Sequence, residues 1–152
     1  MYDIRDVVKK AIDIANQKKA LYEKLSENVW DPGTQLAIKV LKGAVESDIS
    51  HYKSMIDNIS DEMAETIDFG IYDKVSSLVN QFSRLILMPD LQTKTSLIEF
   101  AIDLEERSYA LMIDIQGRMV TETKMSETVS YYVLTELIEE KRLFVEKLRA
   151  FL

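Results

Sequence analysis

The sequence predicts an all-α protein: a four-helix bundle of two antiparallel hairpins, joined by a long crossover that contains an extra helix. Three observations carry this. The 152 residues include only 4 Gly and 2 Pro, so turns are scarce and the elements must be long. Apolar residues recur in alternating steps of three and four, the period of one helical face. The breakers separate stretches of roughly 25 residues, each about 37 Å long as a helix. A composition of 47% hydrophobic and 30% charged residues is too apolar for a disordered chain and too polar for a membrane span. The length favours one domain over residues 1–152, because a second core would leave each half near the size limit for folding alone.

The first stripe is Ile4, Val8, Ala11, Ala15, Lys18, Tyr22, Leu25 and Val29, and it ends before Trp30-Asp31-Pro32-Gly33. There Asp31 can cap the second helix and Pro32 can occupy its first turn. Trp30 either anchors a subunit contact or closes the end of the bundle. The second stripe is Ala37, Leu41, Ala44, Asp48, His51 and Met55. A short link between these two helices makes them antiparallel neighbours. In the crossover, Ser60–Met63 can form a turn, Asp68-Phe69-Gly70 breaks the chain, and Ile71–Met88 reads as the extra helix. After Pro89, Asp90 is the expected cap of a third stripe: Ile98, Ala101, Glu105, Ser108, Met112 and Ile115, loosened at Gly117. Ser126 is the expected cap of the last helix, striped by Val129, Val133, Glu136, Glu140, Leu143, Lys147 and Phe151, with Leu137, Phe144 and Leu148 widening the face. A link of about 30 residues between the second and third bundle helices is long enough to cross the bundle from end to end. An internal echo supports two related halves: Ala11-Ile12-Asp13-Ile14-Ala15 and Ala20-Leu21-Tyr22 recur at one common offset as Ala101-Ile102-Asp103-Leu104-Glu105 and Ala110-Leu111-Met112.

Charge and composition exclude several functions. With 19 Lys and Arg against 26 Asp and Glu, the net charge is −7, and no basic stripe offsets it, so nucleic acid is not an expected partner. The absence of cysteine removes disulfides, thiolate metal sites and cysteine nucleophiles. The single histidine, His51, has no nucleophile at informative spacing, and no phosphate-binding glycine loop is present. The opening MYDIRDVVKKAIDIA lacks the unbroken apolar run of a signal peptide, so a cytoplasmic protein without membrane association is expected.

The informative residues are polar groups lying in core stripes. A carboxylate there is costly unless paired, protonated or metal-bound. Asp48 and His51, three apart on one helical face, can share a cation, and oxygen ligands with one imidazole suit iron or manganese. With "GAVESDISHYKSMI", "AIDLEERSYALM" and "LTELIEEKRLFVEKL" in place, the chain resembles the ferritin-like di-iron proteins, the rubrerythrin-like branch in particular, over nearly its whole length. That resemblance implies a metal site of Asp48, His51, Glu105 and Glu140, with Glu139 as an alternative register for the last. Ala15 stands where the first-helix glutamate belongs and Leu143 where the fourth-helix histidine belongs, so the ligand set is incomplete.

Each of these residues also has a plainer reading. A lone helical histidine can be structural, Glu105 adjoins Glu106 in a charged run, and Glu139-Glu140-Lys141-Arg142 has the look of a solvated face. Lys18, one turn from Ala15, can neutralise core carboxylates in place of a cation. Two functions follow. One is a ferritin-like protein with a reduced site for one metal, iron or manganese, or for none. The other is a metal-free bundle acting in interaction or assembly, and a working di-iron oxidase or peroxidase ranks behind both. A homodimer is expected, since paired bundles and two-fold symmetry are common.

Overall fold

A computed structural model describes residues 1–120 and 128–152, and the expected cap at Ser126 lies outside them. The described residues form five helices: α1 (Ile4–Ser26), α2 (Pro32–Asn58), α3 (Phe69–Leu85), α4 (Lys94–Met119) and α5 (Val129–Arg149). Each begins on a side-chain cap. Asp3 and Asp6 form a reciprocal capping box on α1, and Asp31 accepts from the Thr34 amide of α2 with Pro32 in its first turn. Asp68, Thr93 and Thr128 cap α3, α4 and α5.

Three boundaries differ from the sequence reading. Asp68 accepts from the Gly70 amide, so Asp68-Phe69-Gly70 starts α3 instead of breaking the chain, and extended backbone at Ile86 stops it before Met88. Thr93, not Asp90, caps α4, because a reciprocal box with Ser96 satisfies both ends of the first turn, whereas Asp90 accepts only from the Gln92 side chain. α1 stops at Ser26, leaving Val29 fully exposed. The Trp30 indole then donates 2.7 Å to the Leu25 carbonyl, which also accepts from the Asn28 amide, so Trp30 closes the end of α1.

The contacts fix the helix directions. Arg5 reaches the Ile59 carbonyl and Glu23 pairs with Lys42, so α2 runs antiparallel to α1. Gln116 meets Thr135 and Glu106 meets Arg149, so α5 runs antiparallel to α4. In the crossover, Tyr72 stacks on Tyr2 and Ser83 bonds Gln17, so α3 climbs beside α1 in the same direction. It returns the chain to the end from which α2 started, and α4 therefore runs the same way as α2. At the other end, the Glu65 carboxylate accepts from the Val129 and Ser130 amides, tying the crossover to the N-terminus of α5.

The core is the shared interior of α1, α2, α4 and α5, with Val75, Val79 and Phe82 of α3 laid against it. Ile4, Val8, Tyr22, Leu25, Ile38, Leu97, Ile115, Leu134 and Leu137 are its most enclosed side chains. The α1 stripe from Ile4 to Leu25 and the α4 stripe fall inward as expected. On α2 and α5 the buried face is rotated from the expected one: Ile38, Leu41, Val45, Tyr52 and Met55 on α2, and Val133, Leu134, Leu137, Lys141, Val145 and Leu148 on α5. Between α2 and α5 the bundle opens into a groove of about 640 Å³ lined by Val40, Ala44, Asp48, His51, Leu143 and Phe144, among others. Among the described residues, no helix is long and apolar enough to cross a membrane.

Candidate functional site

The structure separates the four expected metal ligands into two neighbouring groups. Glu105 is buried, 3% exposed, at the centre of the bundle, where its two oxygens face two ammonium groups. Lys18 Nζ from α1 lies 3.1 Å from Oε1, and Lys141 Nζ from α5 lies 3.1 Å from Oε2. Lys141 also donates 2.9 Å to Oδ2 of Asp48 on α2. Four bundle helices thus meet in one network of two cations and two anions. Both lysines are almost fully enclosed, 2% and 5% exposed, while Asp48 reaches the floor of the groove.

Each helix delivers its group by ordinary stripe geometry. Lys18 follows Ala11 and Ala15 along α1, Glu105 follows Ile98 and Ala101 along α4, and Lys141 follows Leu134 and Leu137 along α5. The small side chains of Ala11 and Ala15 leave room for the network. What remains beside Lys18, Asp48, Ser108 and Lys141 is a void of about 10 Å³, near the lower limit for a single water.

The charges follow from this packing. Burial alone would raise the Glu105 pKa, but Lys141 and Lys18 outweigh it and hold the carboxyl at about 2. Lys141 is held well above its ordinary value: burial opposes its charge, and the carboxylates of Glu105 and Asp48 more than compensate. Lys18 goes the other way. Burial and repulsion from Lys141 exceed the attraction of Glu105 and bring it down to about 8. Burial, with the nearby carboxylates, pushes Tyr52 up to about 12 and raises Tyr22 as well, so both stay neutral phenols near neutral pH. A lysine partly neutral in mild alkali can act as a base or nucleophile, but the Lys18 nitrogen is sealed from any substrate.

The second group lies on the outer side of the α2–α5 seam. His51 Nε2 is 2.9 Å from Oε1 of Glu140 and 3.4 Å from Oε1 of Glu136, with all three side chains more than a third exposed. Burial, together with repulsion from Glu136 and Asp48, raises the Glu140 pKa, against the pull of His51. Glu139 is turned away and pairs with Arg142, so Glu140 is the register that meets His51.

The central donor set does not suit a di-metal centre. Both Glu105 oxygens face ammonium groups, Oε1 in a hydrogen bond from Lys18 and Oε2 in an ion pair with Lys141 that has no aligned hydrogen bond. Ammonium groups cannot ligate while protonated, Ala15 offers no ligand, and Leu143 is exposed. Among the described residues, the only group of three potential ligands within mutual reach is His51, Glu136 and Glu140. Sequence reasoning missed Lys141 because it stands in the run Glu139–Arg142. The signal was present in its spacing, four residues after Leu137 and seven before Leu148, just as Lys18 stands seven before Leu25 in the α1 stripe. No protein family, curated protein or solved structure matches the chain.

Proposed function

We propose that the chain is a ferritin-like bundle whose central polar site is balanced by lysine instead of metal, and that it acts by protein association, first of all with a second copy of itself. The observation that carries this reading is the placement of Lys18 and Lys141 on the two oxygens of Glu105. Two ammonium groups balance the two carboxylates of Glu105 and Asp48, as one divalent cation would, without open coordination positions for oxygen or peroxide. The helix order supports the ferritin-like reading: two antiparallel hairpins, with a crossover helix returning the chain to its starting end.

A second copy suits the surface. Leu36 and Val40 of α2, Leu143 of α5 and the nearby Phe151 are exposed along the groove, a strip that two-fold association would cover on both copies. The groove carries both signs, with Lys147 two turns from Glu140, so an inverted copy can set opposite charges against each other.

Iron loading of untagged protein, with metal counted by elemental analysis on wild type and His51→Ala, tests the central site. At most one ion per chain is expected in wild type and none in the variant. Two ions per chain that survive in His51→Ala would overturn the reading.

A further inference from the structure

We infer that His51, Glu136 and Glu140 form a site for one divalent transition-metal ion at the α2–α5 seam, outside the lysine-balanced core. The ligand chemistry is one imidazole nitrogen and two carboxylate oxygens, a set that suits Zn²⁺ and its first-row neighbours. Glu136 and Glu140 are one helical turn apart on α5 and present their oxygens to the same point, while His51 reaches that point from α2.

The spacing fits a common metal. Bonds of about 2.0–2.1 Å at tetrahedral angles place two ligand atoms about 3.3–3.4 Å apart. His51 Nε2 lies 3.4 Å from Glu136 Oε1 and 2.9 Å from Glu140 Oε1, and all three donor atoms lie within 4.8 Å of one another. His51 and Glu140 would have to part by a few tenths of an ångström to admit an ion, an adjustment within reach of side-chain rotation because all three residues are partly exposed.

The electrostatics point the same way. Two carboxylates flank one imidazole, and Asp48 adds a third negative charge nearby. The neighbouring ammonium of Lys141 is engaged by Asp48 and Glu105. The His51 Nε2 atom is itself buried and makes no well-aligned hydrogen bond, although two carboxylates stand beside it. An imidazole nitrogen with two carboxylates beside it and no aligned hydrogen bond is arranged to share a cation with them, and three protein ligands would leave one position of a four-coordinate ion open.

The site is independent of the reading of the core, because it uses neither Glu105 nor either lysine. Titration of untagged protein with Zn²⁺ by calorimetry, and with Co²⁺ by visible absorption, tests it. One ion per chain is expected, with visible Co²⁺ bands of a low-coordinate N/O site. His51→Ala and Glu136→Gln should each weaken binding by more than about tenfold, since changes even one shell further out cost about that much in metal sites. Both positions are exposed enough for the variants to fold, which circular dichroism would verify. Binding that is absent in wild type, or unchanged in His51→Ala, would overturn the assignment.

Discussion

Lys141→Met removes the cation that joins both core carboxylates. The variant keeps the length and apolar stem of the side chain but leaves Asp48 without its 2.9 Å partner and Glu105 with Lys18 alone. Breaking a buried ion pair from one side costs about 3–5 kcal/mol, because the remaining charge is buried without compensation. The depressed pKa of Glu105 gives a similar scale: moving from 4.5 to about 2 corresponds to about 3 kcal/mol of stabilisation of the ionised form. For a chain of this size each kcal/mol moves the melting temperature by about 2–4 °C, so a fall of about 6–20 °C is expected. A thermal scan would read that fall, and urea unfolding followed by helical circular dichroism and by the fluorescence of Trp30 would read the loss of free energy, with the slope unchanged. Arg142→Met, one residue along on the exposed face, should leave the midpoint where it is. Replacing Lys18, Asp48, Glu105 and Lys141 together by apolar residues should restore most of the loss, since a core without charges needs no compensation. A loss below about 1 kcal/mol in Lys141→Met would refute the argument that the network balances buried charge.

The other predictions rest on the same geometry. Lys18→Met should cost clearly less than Lys141→Met in the same unfolding assay, because burial already disfavours the charge of Lys18, while Lys141 holds two carboxylates. Glu105, lowered in the folded state, contributes stability that is fully present above its ordinary value of 4.5 and is lost as pH falls from there toward about 2. Acid titration of stability should therefore show a component in that window that is missing in Glu105→Gln. Leu143→Asp places a charge in the exposed strip beside the groove and should convert a dimer to a monomer in sedimentation velocity without lowering helix content. A wild-type chain that sediments as a monomer at all concentrations would dispose of the two-fold proposal.

The sequence was most legible where a helix buries a single, unbroken stripe. On α1 and α4 the positions from Ile4 to Leu25 and from Ile98 to Ile115 face inward as their spacing requires, and the polar members Lys18 and Glu105 were placed with them. On α2 and α5 the spacing was ambiguous for a physical reason. These helices border the open groove, so apolar residues such as Val40, Ala44, Leu143 and Phe144 line a second face. A stripe drawn through them carries His51, Glu136 and Glu140 toward the core, whereas the true face passes through Tyr52 and Lys141. Lys18 was the residue that pointed to charge balance without metal, and its partner Lys141 was hidden by charged neighbours on either side. Two helix starts differ for local reasons. Asp68, read as part of a break, meets the Gly70 amide and caps α3. Of the nearby polar residues Asp90 and Thr93, it is Thr93 that meets the first-turn amides of α4, a choice that local spacing does not determine.

The central claim is that lysine ammonium groups, and no metal, balance Glu105. Its most direct test is a crystal structure of the protein grown in excess Mn²⁺, with anomalous scattering used to place the ion. The account predicts Lys18 and Lys141 still in contact with Glu105, with any manganese confined to His51, Glu136 and Glu140. An anomalous peak between Asp48 and Glu105, with the two lysines displaced, would contradict it.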